Sequence, residues 1–177
     1  MKAKHILVSF FVALCVLCSS ISSISVSALT VYIDNDDDVY NTQHQGFNTY
    51  LTSTNYYRGD ARRQATGNYN YHDWYLGNNS IDNKKRITVK LYAYVNDYSF
   101  TDPRAKYSAV CSYEQQIGTL NQNTATGGWN LVSTVVLKPL TAVGENRVSF
   151  HGVVLYPSTV SGYNTGADGV KYNITYK

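Results

Sequence analysis

Residues 86–95 have the sequence RITVKLYAYV, whose pattern is the clearest indication of the fold class. Apolar residues occupy every second position from Ile87 to Val95, with threonine, lysine and tyrosine between them. A period of two sends alternate side chains to opposite faces of a strand. The stretch therefore predicts a β-strand with one face in the core and the other in water.

Similar short stretches occur on both sides of it, separated by glycine, asparagine, aspartate and serine, and no segment after residue 28 has helical periodicity. The further predicted strands are Leu29 to Ile33, Phe47 to Thr52, Tyr69 to Tyr75, Ala105 to Tyr113, Gln116 to Asn121, Trp129 to Leu137, Arg147 to Leu155 and Gly169 to Tyr176. Gly152 indicates a bulge in one of them. Many short strands with turn signals between them predict an all-β chain with one jelly-roll-like β-sandwich.

The first 28 residues have the pattern of an export signal. Lys2 and Lys4 precede an apolar run from Ile6 to Leu17, and small residues lead to Ala28, after which we predict cleavage. The apolar run of about twelve residues is short for a bilayer, which makes an uncleaved anchor the less favoured alternative. The sequence thus predicts a secreted protein whose mature domain, residues 29–177, has no membrane attachment.

Charge and cysteine content exclude other classes. The net charge of +3 falls to +1 when Lys2 and Lys4 leave with the leader, so no large basic surface is available for nucleic acid. Cys111 is the only cysteine after residue 28, which rules out a disulfide within the mature domain. We expect Cys111 to be a small buried apolar residue.

Recognised catalytic patterns are absent from the sequence. His72 and Asp73 are adjacent in a predicted strand, so their side chains point to opposite faces and do not form an orienting pair. Glu114 and Glu145 are the only two glutamates, and no carboxylate pair is singled out for glycoside hydrolysis. The acidic run at residues 34–38 reads as a solvated turn, with calcium binding as the alternative. We therefore expect no enzyme, no cofactor and no metal.

Tyrosine is the unusual component, because all 17 tyrosines and both tryptophans follow residue 28. Aromatic rings can stack on sugar rings while asparagine, aspartate and arginine bind the hydroxyl groups. Residues 55–60, 68–75 and 121–129 combine these residue types, although some of the rings could belong to the core instead. The predicted ligand-binding residues are Tyr56, Tyr57, Arg58, Asp60, Asn70, Tyr71 and Trp129.

Several of these stretches follow one another as in a known family. They include residues 31–35, Gly46-Phe47, residues 56–62, Trp74, residues 86–95, residues 105–107, residues 121–132, residues 147–150 and residues 167–172. Together they resemble the golvesin-type domain, also described as the carbohydrate-binding-like domain of xanthan lyases. One departure is Gly169, which stands where that family has alanine. The resemblance implies a non-catalytic β-sandwich for which carbohydrate binding is suspected.

The favoured hypothesis is a secreted binding domain for a cell-wall or extracellular polysaccharide. A tyrosine-rich structural or adhesive matrix protein is the alternative, since exposed tyrosines and strand edges support self-association. A small polysaccharide hydrolase with unrecognised carboxylates is a third, less favoured hypothesis.

Overall fold

The computed structural model describes residues 27–40, 42–67, 69–77, 81–111, 114–138 and 148–177. Residues 1–26 of the predicted leader, which extends to Ala28, lie outside this part of the chain, and Ala28 is the first residue of β1. The strands are β1 (Ala28–Ile33), β2 (Gln43–Gln45), β3 (Thr49–Thr52), β4 (Asp60–Ala65), β5 (Tyr71–Tyr75), β6 (Ile81–Asn83), β7 (Ile87–Val95), β8 (Ala105–Cys111), β9 (Glu114–Leu120), β10 (Gly128–Leu137), β11 (Val148–Tyr156), β12 (Asn164–Ala167) and β13 (Val170–Tyr176). Single 3-10 turns are formed by Asp38–Tyr40 and Tyr57–Gly59. Among these elements there is no helix with the length and apolar character needed to cross a bilayer.

The alternating stretch at residues 86–95 forms β7, which lies inside a four-stranded antiparallel sheet of order β1-β13-β7-β10. Its apolar set from Ile87 to Val95 is buried, and the residues between are partly or fully exposed. The predicted strand and its buried face are both confirmed. This sheet therefore has an inner face in the core and an outer face in water.

A second sheet has the order β2-β5-β11-β8-β9, with β6 also paired to β11, and a short third sheet has the order β12-β4-β3. Side chains from the two larger sheets meet in one core, where Leu91 and Ile174 of the first join Trp74, Phe150 and Leu155 of the second. Antiparallel sheets packed face to face in this way form a β-sandwich. The predicted all-β sandwich is confirmed.

Gly152 occupies an irregular point in β11. The register between β11 and β8 shifts between Phe150 and Gly152, and the φ angle of Gly152 is +146°. A Cβ atom there would lie 2.2 Å from the carbonyl oxygen of Trp74 on the neighbouring strand β5. The predicted bulge is confirmed, and the close approach of β5 explains why the position needs glycine.

Candidate functional site

Four aromatic side chains converge on the outer face of the four-stranded sheet. The ring centroids of Tyr57 and Trp129 are 5.0 Å apart, with an edge-on angle of 65°. Tyr94 and Tyr32 approach Trp129 edge-on, at 5.2 Å and 5.6 Å. We call Tyr32, Tyr57, Tyr94 and Trp129 the aromatic patch. Edge-on contacts at these distances are favourable for aromatic pairs, so the rings hold one another in place.

Strand pairing explains three of the four positions. Trp129 of β10 lies directly opposite Tyr94 of β7, and directly opposed residues share a sheet face. Tyr32 precedes Ile33 in β1; because Ile33 is fully buried, Tyr32 points outward and keeps 42% of its surface exposed. The outer face thus receives rings from strands that are far apart in sequence.

Tyr57 comes from a loop and is fixed by two long-range contacts. Its backbone N–H donates to both side-chain oxygens of Asp168, at 3.0 and 3.2 Å. Asp168 is buried, and this burial raises its pKa to about 9. A Cβ atom on Gly169 would lie only 2.6 Å from Cδ1 of Tyr57, so the ring packs where a larger residue would have its side chain.

Two cations lie at the margin of the patch. The Lys171 ammonium nitrogen is 4.0 Å from the centre of the Tyr92 ring and 5.3 Å from that of Trp129. The guanidinium carbon of Arg58 is 5.3 Å from the centre of the Tyr57 ring, and its Nη1 is 3.2 Å from a carboxylate oxygen of Asp37. Cations over aromatic faces are attracted by the ring quadrupole, which adds rigidity to an exposed surface.

A polar cavity of about 320 Å³ adjoins the patch. Asn96 follows Tyr94 by two positions and Gly127 precedes Trp129 by two, and both residues line the cavity. Asn55, Asp97 and Asn123 add amide and carboxylate groups. The surface therefore combines fixed aromatic rings with hydrogen-bonding groups.

An acidic cluster lies beyond the end of β1. Carboxylate oxygens of Asp34, Asp36 and Asp60 are all within 4.8 Å of one another. The pKa of Asp34 is raised to about 6, mainly by burial and also by the charges of Asp60 and Asp36, while the hydrogen bond from the Asn35 N–H and the charge of Arg58 offset part of the effect. Oxygen ligands of this type suit the calcium alternative derived from the sequence, and the structure adds Asp60 from β4 to the acids of the turn.

The predicted binding residues are distributed over several regions. Tyr57 and Trp129 are members of the aromatic patch, Arg58 borders it, and Asp60 belongs to the acidic cluster. Their contacts with a ligand stay predictions. The sequence did not single out Tyr32, Tyr94 or Lys171, although outward positions in alternating strands were a signal for each of them.

Tyr56 is buried, whereas the sequence indicated a surface position, and its contact with a ligand stays a prediction. Only 7% of it is exposed, its ring stacks on Phe100 with centroids 6.0 Å apart, and its hydroxyl donates to the Asp97 carboxylate. Tyr56 belongs to a small second core beneath the loop.

Asn70 and Tyr71 lie at the start of β5, in the six-stranded sheet, and thus outside the patch. Asn70 covers Gly46, where an added Cβ would meet its side chain at 2.1 Å. It also lines an open cavity of about 390 Å³ together with Tyr69 and Lys106. The structure therefore separates these two predicted residues from Tyr57 and Trp129.

The buried histidine does not form the pair that acid–base chemistry would need. His72 is fully buried; Nε2 lies 3.1 Å from the carbonyl oxygen of Asn35, and burial lowers the pKa of His72 to about 3. Asp73 instead accepts the backbone N–H of Gln43 at 2.7 Å. His72 is thus a neutral core residue at physiological pH.

Comparison with known proteins supports the fold. No protein-family model matches the chain, and no curated protein matches it in sequence. A solved structure of Paenibacillus xanthan lyase is similar over 81% of the chain, with 18% identity and a TM-score of 0.55. The chain spans 13% of that protein's length. The golvesin-type resemblance stays a prediction at the level of the family.

Two further solved structures show weaker likeness. One is an exo-β-1,3-galactanase from Phanerochaete chrysosporium, solved with β-1,3-galactotriose, with 15% identity and a TM-score of 0.37. The match covers 83% of this chain and 29% of the galactanase chain. A protein of unknown function from Shewanella oneidensis MR-1 is 9% identical over 92% of both chains, with a TM-score of 0.31.

Proposed function

We propose that this protein is a secreted, non-catalytic carbohydrate-binding domain whose aromatic patch contacts sugar rings. The observation that carries the proposal is the edge-on pair Tyr57 and Trp129, held at the surface by Asp168 and by the strand register. The rings are packed from below and at their edges, so little conformational freedom remains to be lost on binding. The fold shared with a xanthan lyase supports a carbohydrate-related role.

The geometry provides two kinds of contact for a sugar, stacking on the rings and hydrogen bonds in the cavity. The patch offers ring surfaces on which the apolar face of a pyranose can stack, with about 0.5–1.5 kcal/mol for each contact by analogy with aromatic pairs. The amides and the carboxylate of the adjoining cavity, Asn55, Asn96 and Asp97, bind hydroxyl groups. Because each contact is weak, the affinity for a single site is modest and rises when a polymer engages several domains.

The test is a pelleting assay of the purified protein with a panel of insoluble neutral and acidic polysaccharides. Trp129→Ala and Tyr57→Ala should each weaken binding about fivefold if a ring contributes about 1 kcal/mol. Tyr69→Ala and Tyr163→Ala are matched controls, because both tyrosines are exposed and lie outside the patch and the adjoining cavity. Circular dichroism of each variant confirms that it folds.

Two results would overturn the proposal. One is an absence of pelleting with every polysaccharide of the panel. The other is an equal loss of binding in the control variants, which would show that the patch is not the contact surface.

The matrix alternative rests on a different observation. Leu131 and Val136 of β10, the last strand in the order of the four-stranded sheet, are about half exposed. Exposed apolar residues on such a strand favour self-association. Sedimentation of the protein without sugar over a range of concentrations distinguishes the two functions, since the glycan-binding proposal does not require assembly.

A further inference from the structure

The sheet that carries the aromatic patch has an unusual charge distribution. None of its four strands contains an aspartate or a glutamate. Their charged side chains are Lys90 in β7 and Lys171 in β13. The acidic side chains around the patch lie outside the strands: Asp34, Asp36 and Asp37 follow β1, Asp97 follows β7, and the buried Asp168 precedes β13. The sheet face itself is therefore purely cationic.

Both lysines are on the outer face. Lys90 stands between the buried residues Val89 and Leu91, and Lys171 stands between two buried residues of β13. In the register of β13 with β7, Lys171 is opposite Tyr92 and Lys90 is opposite Asn173. The two ammonium groups thus belong to diagonal neighbours on one surface, roughly 7–8 Å apart at their backbones.

Neither lysine is neutralised within the described part of the chain. The ion pair described near the patch joins Arg58 to Asp37 and leaves both lysines without a carboxylate within 4.0 Å. Lys171 rests on aromatic rings instead, which position its charge beside Trp129. A cation held next to a sugar-stacking surface is available to an anionic group of the bound ligand.

We infer that the outer face of this sheet selects glycans that carry carboxylate groups, such as polymers containing uronic acids. A sugar ring stacks on the aromatic patch while Lys171, and further along the face Lys90, pair with carboxylates of the polymer. This inference rests on the proposed glycan binding and adds the chemical class of the ligand. A neutral glycan uses the rings alone and binds more weakly.

The test uses one uronic-acid polysaccharide in two forms, native and with its carboxyl groups chemically reduced to primary alcohols. Affinity electrophoresis of the purified protein compares the two forms at low and high salt. The native form should bind more tightly, and the difference should shrink at high salt, because salt screens exposed charges. Lys171→Gln and Lys90→Gln should each weaken binding of the native form about two- to fivefold, as for one exposed ion pair.

Controls separate charge from packing. Lys84→Gln and Lys85→Gln remove the same charge from exposed positions in the turn before β7 and should leave binding unchanged. Lys171→Gln also removes a contact with Trp129, whereas Lys90 has no described ring contact, so its variant reports on charge alone. The double variant Lys90→Gln/Lys171→Gln should bind both polymer forms equally.

The outcomes distinguish carboxylate recognition by this face from glycan binding itself. The assignment of carboxylate recognition to this face is overturned if the unmodified protein binds native and reduced polymer equally. It is also overturned if the double variant still prefers the native form. Either result leaves glycan binding intact. A failure to bind either form or any neutral polysaccharide overturns the proposed function itself.

Discussion

The backbone N–H of Tyr57 donates to the carboxyl group of Asp168, 111 residues further along the chain. This contact joins the loop before β4 to the turn between β12 and β13, and it fixes the position of the Tyr57 ring over the sheet. The next residue, Arg58, has a φ angle of +57°, in the left-handed region that few non-glycine residues adopt. The position of the patch therefore depends on one buried acid as well as on its rings.

We expect Asp168→Ala to destabilise the fold and to weaken glycan binding. The N–H of Tyr57 loses its acceptor, which costs about 1–3 kcal/mol in the free energy of unfolding. Asp168→Asn is the control: burial raises the pKa of Asp168 to about 9, so its side chain is neutral at pH 7 and asparagine still offers an acceptor oxygen. Urea unfolding and polysaccharide pelleting measure both effects. Unchanged binding by folded Asp168→Ala would contradict the positioning role.

Gly169→Ala should impair binding with little effect on stability. The new Cβ would lie 2.6 Å from Cδ1 of Tyr57. The half-buried ring can relieve this clash by turning toward solvent, which lowers the free energy of unfolding by only about 0.5–1 kcal/mol. Binding should then fall toward that of Tyr57→Ala. The double variant Tyr57→Ala/Gly169→Ala tests the cause, because it should bind like Tyr57→Ala alone. Additive losses would show that the alanine acts through another contact.

The sequence predicts those parts of the fold that depend on local pattern. The period of two in β7 and the glycine in β11 were sufficient to predict a strand and a bulge. The strand β4, of sequence DARRQA, was missed because it is charged and short of apolar residues, and its pairing with β3 and β12 comes from tertiary contacts.

The site was predictable only in part, and neighbouring residues show why. Tyr56 and Tyr57 have the same local pattern, yet one ring packs on Phe100 and the other on Trp129. Their different environments depend on the distant Asp168 and on the backbone of Arg58, which no local period encodes. The order of strands in the sheet, which brings Tyr32 beside Trp129, likewise follows from long-range pairing.

Asp34→Asn should stabilise the protein at neutral pH. Burial and neighbouring carboxylates raise the pKa of Asp34 from 3.8 to about 6, so the folded state holds its proton more tightly than the unfolded state. This contribution to stability is complete below pH 4 and is lost as the pH rises toward 6. The substitution should therefore add about 1–3 kcal/mol to the free energy of unfolding at pH 7 and almost nothing at pH 4.

Urea unfolding at the two pH values measures this difference. A chelator is present throughout, since a divalent cation among the carboxylates would mask their repulsion. Asp38→Asn, an exposed acid of the same turn, is the control and should have a smaller effect. A loss of stability in Asp34→Asn at pH 7 would show that the charge of Asp34 strengthens its hydrogen bond with the Asn35 N–H, at 2.9 Å, by more than the burial and repulsion cost.

Gly152→Ala should destabilise the sandwich severely. The added Cβ would lie 2.2 Å from the Trp74 carbonyl oxygen, which belongs to a paired strand and cannot withdraw without breaking the sheet. The expected loss is about 2–5 kcal/mol in the free energy of unfolding, from the clash together with the strained φ of +146°.

Gly162→Ala separates the two causes, because Gly162 also has a positive φ, +91°, but nothing lies within 4 Å of its added Cβ. That variant should lose only about 1 kcal/mol. Equal losses in the two variants would show that backbone strain alone accounts for the effect, and that β5 yields to make room.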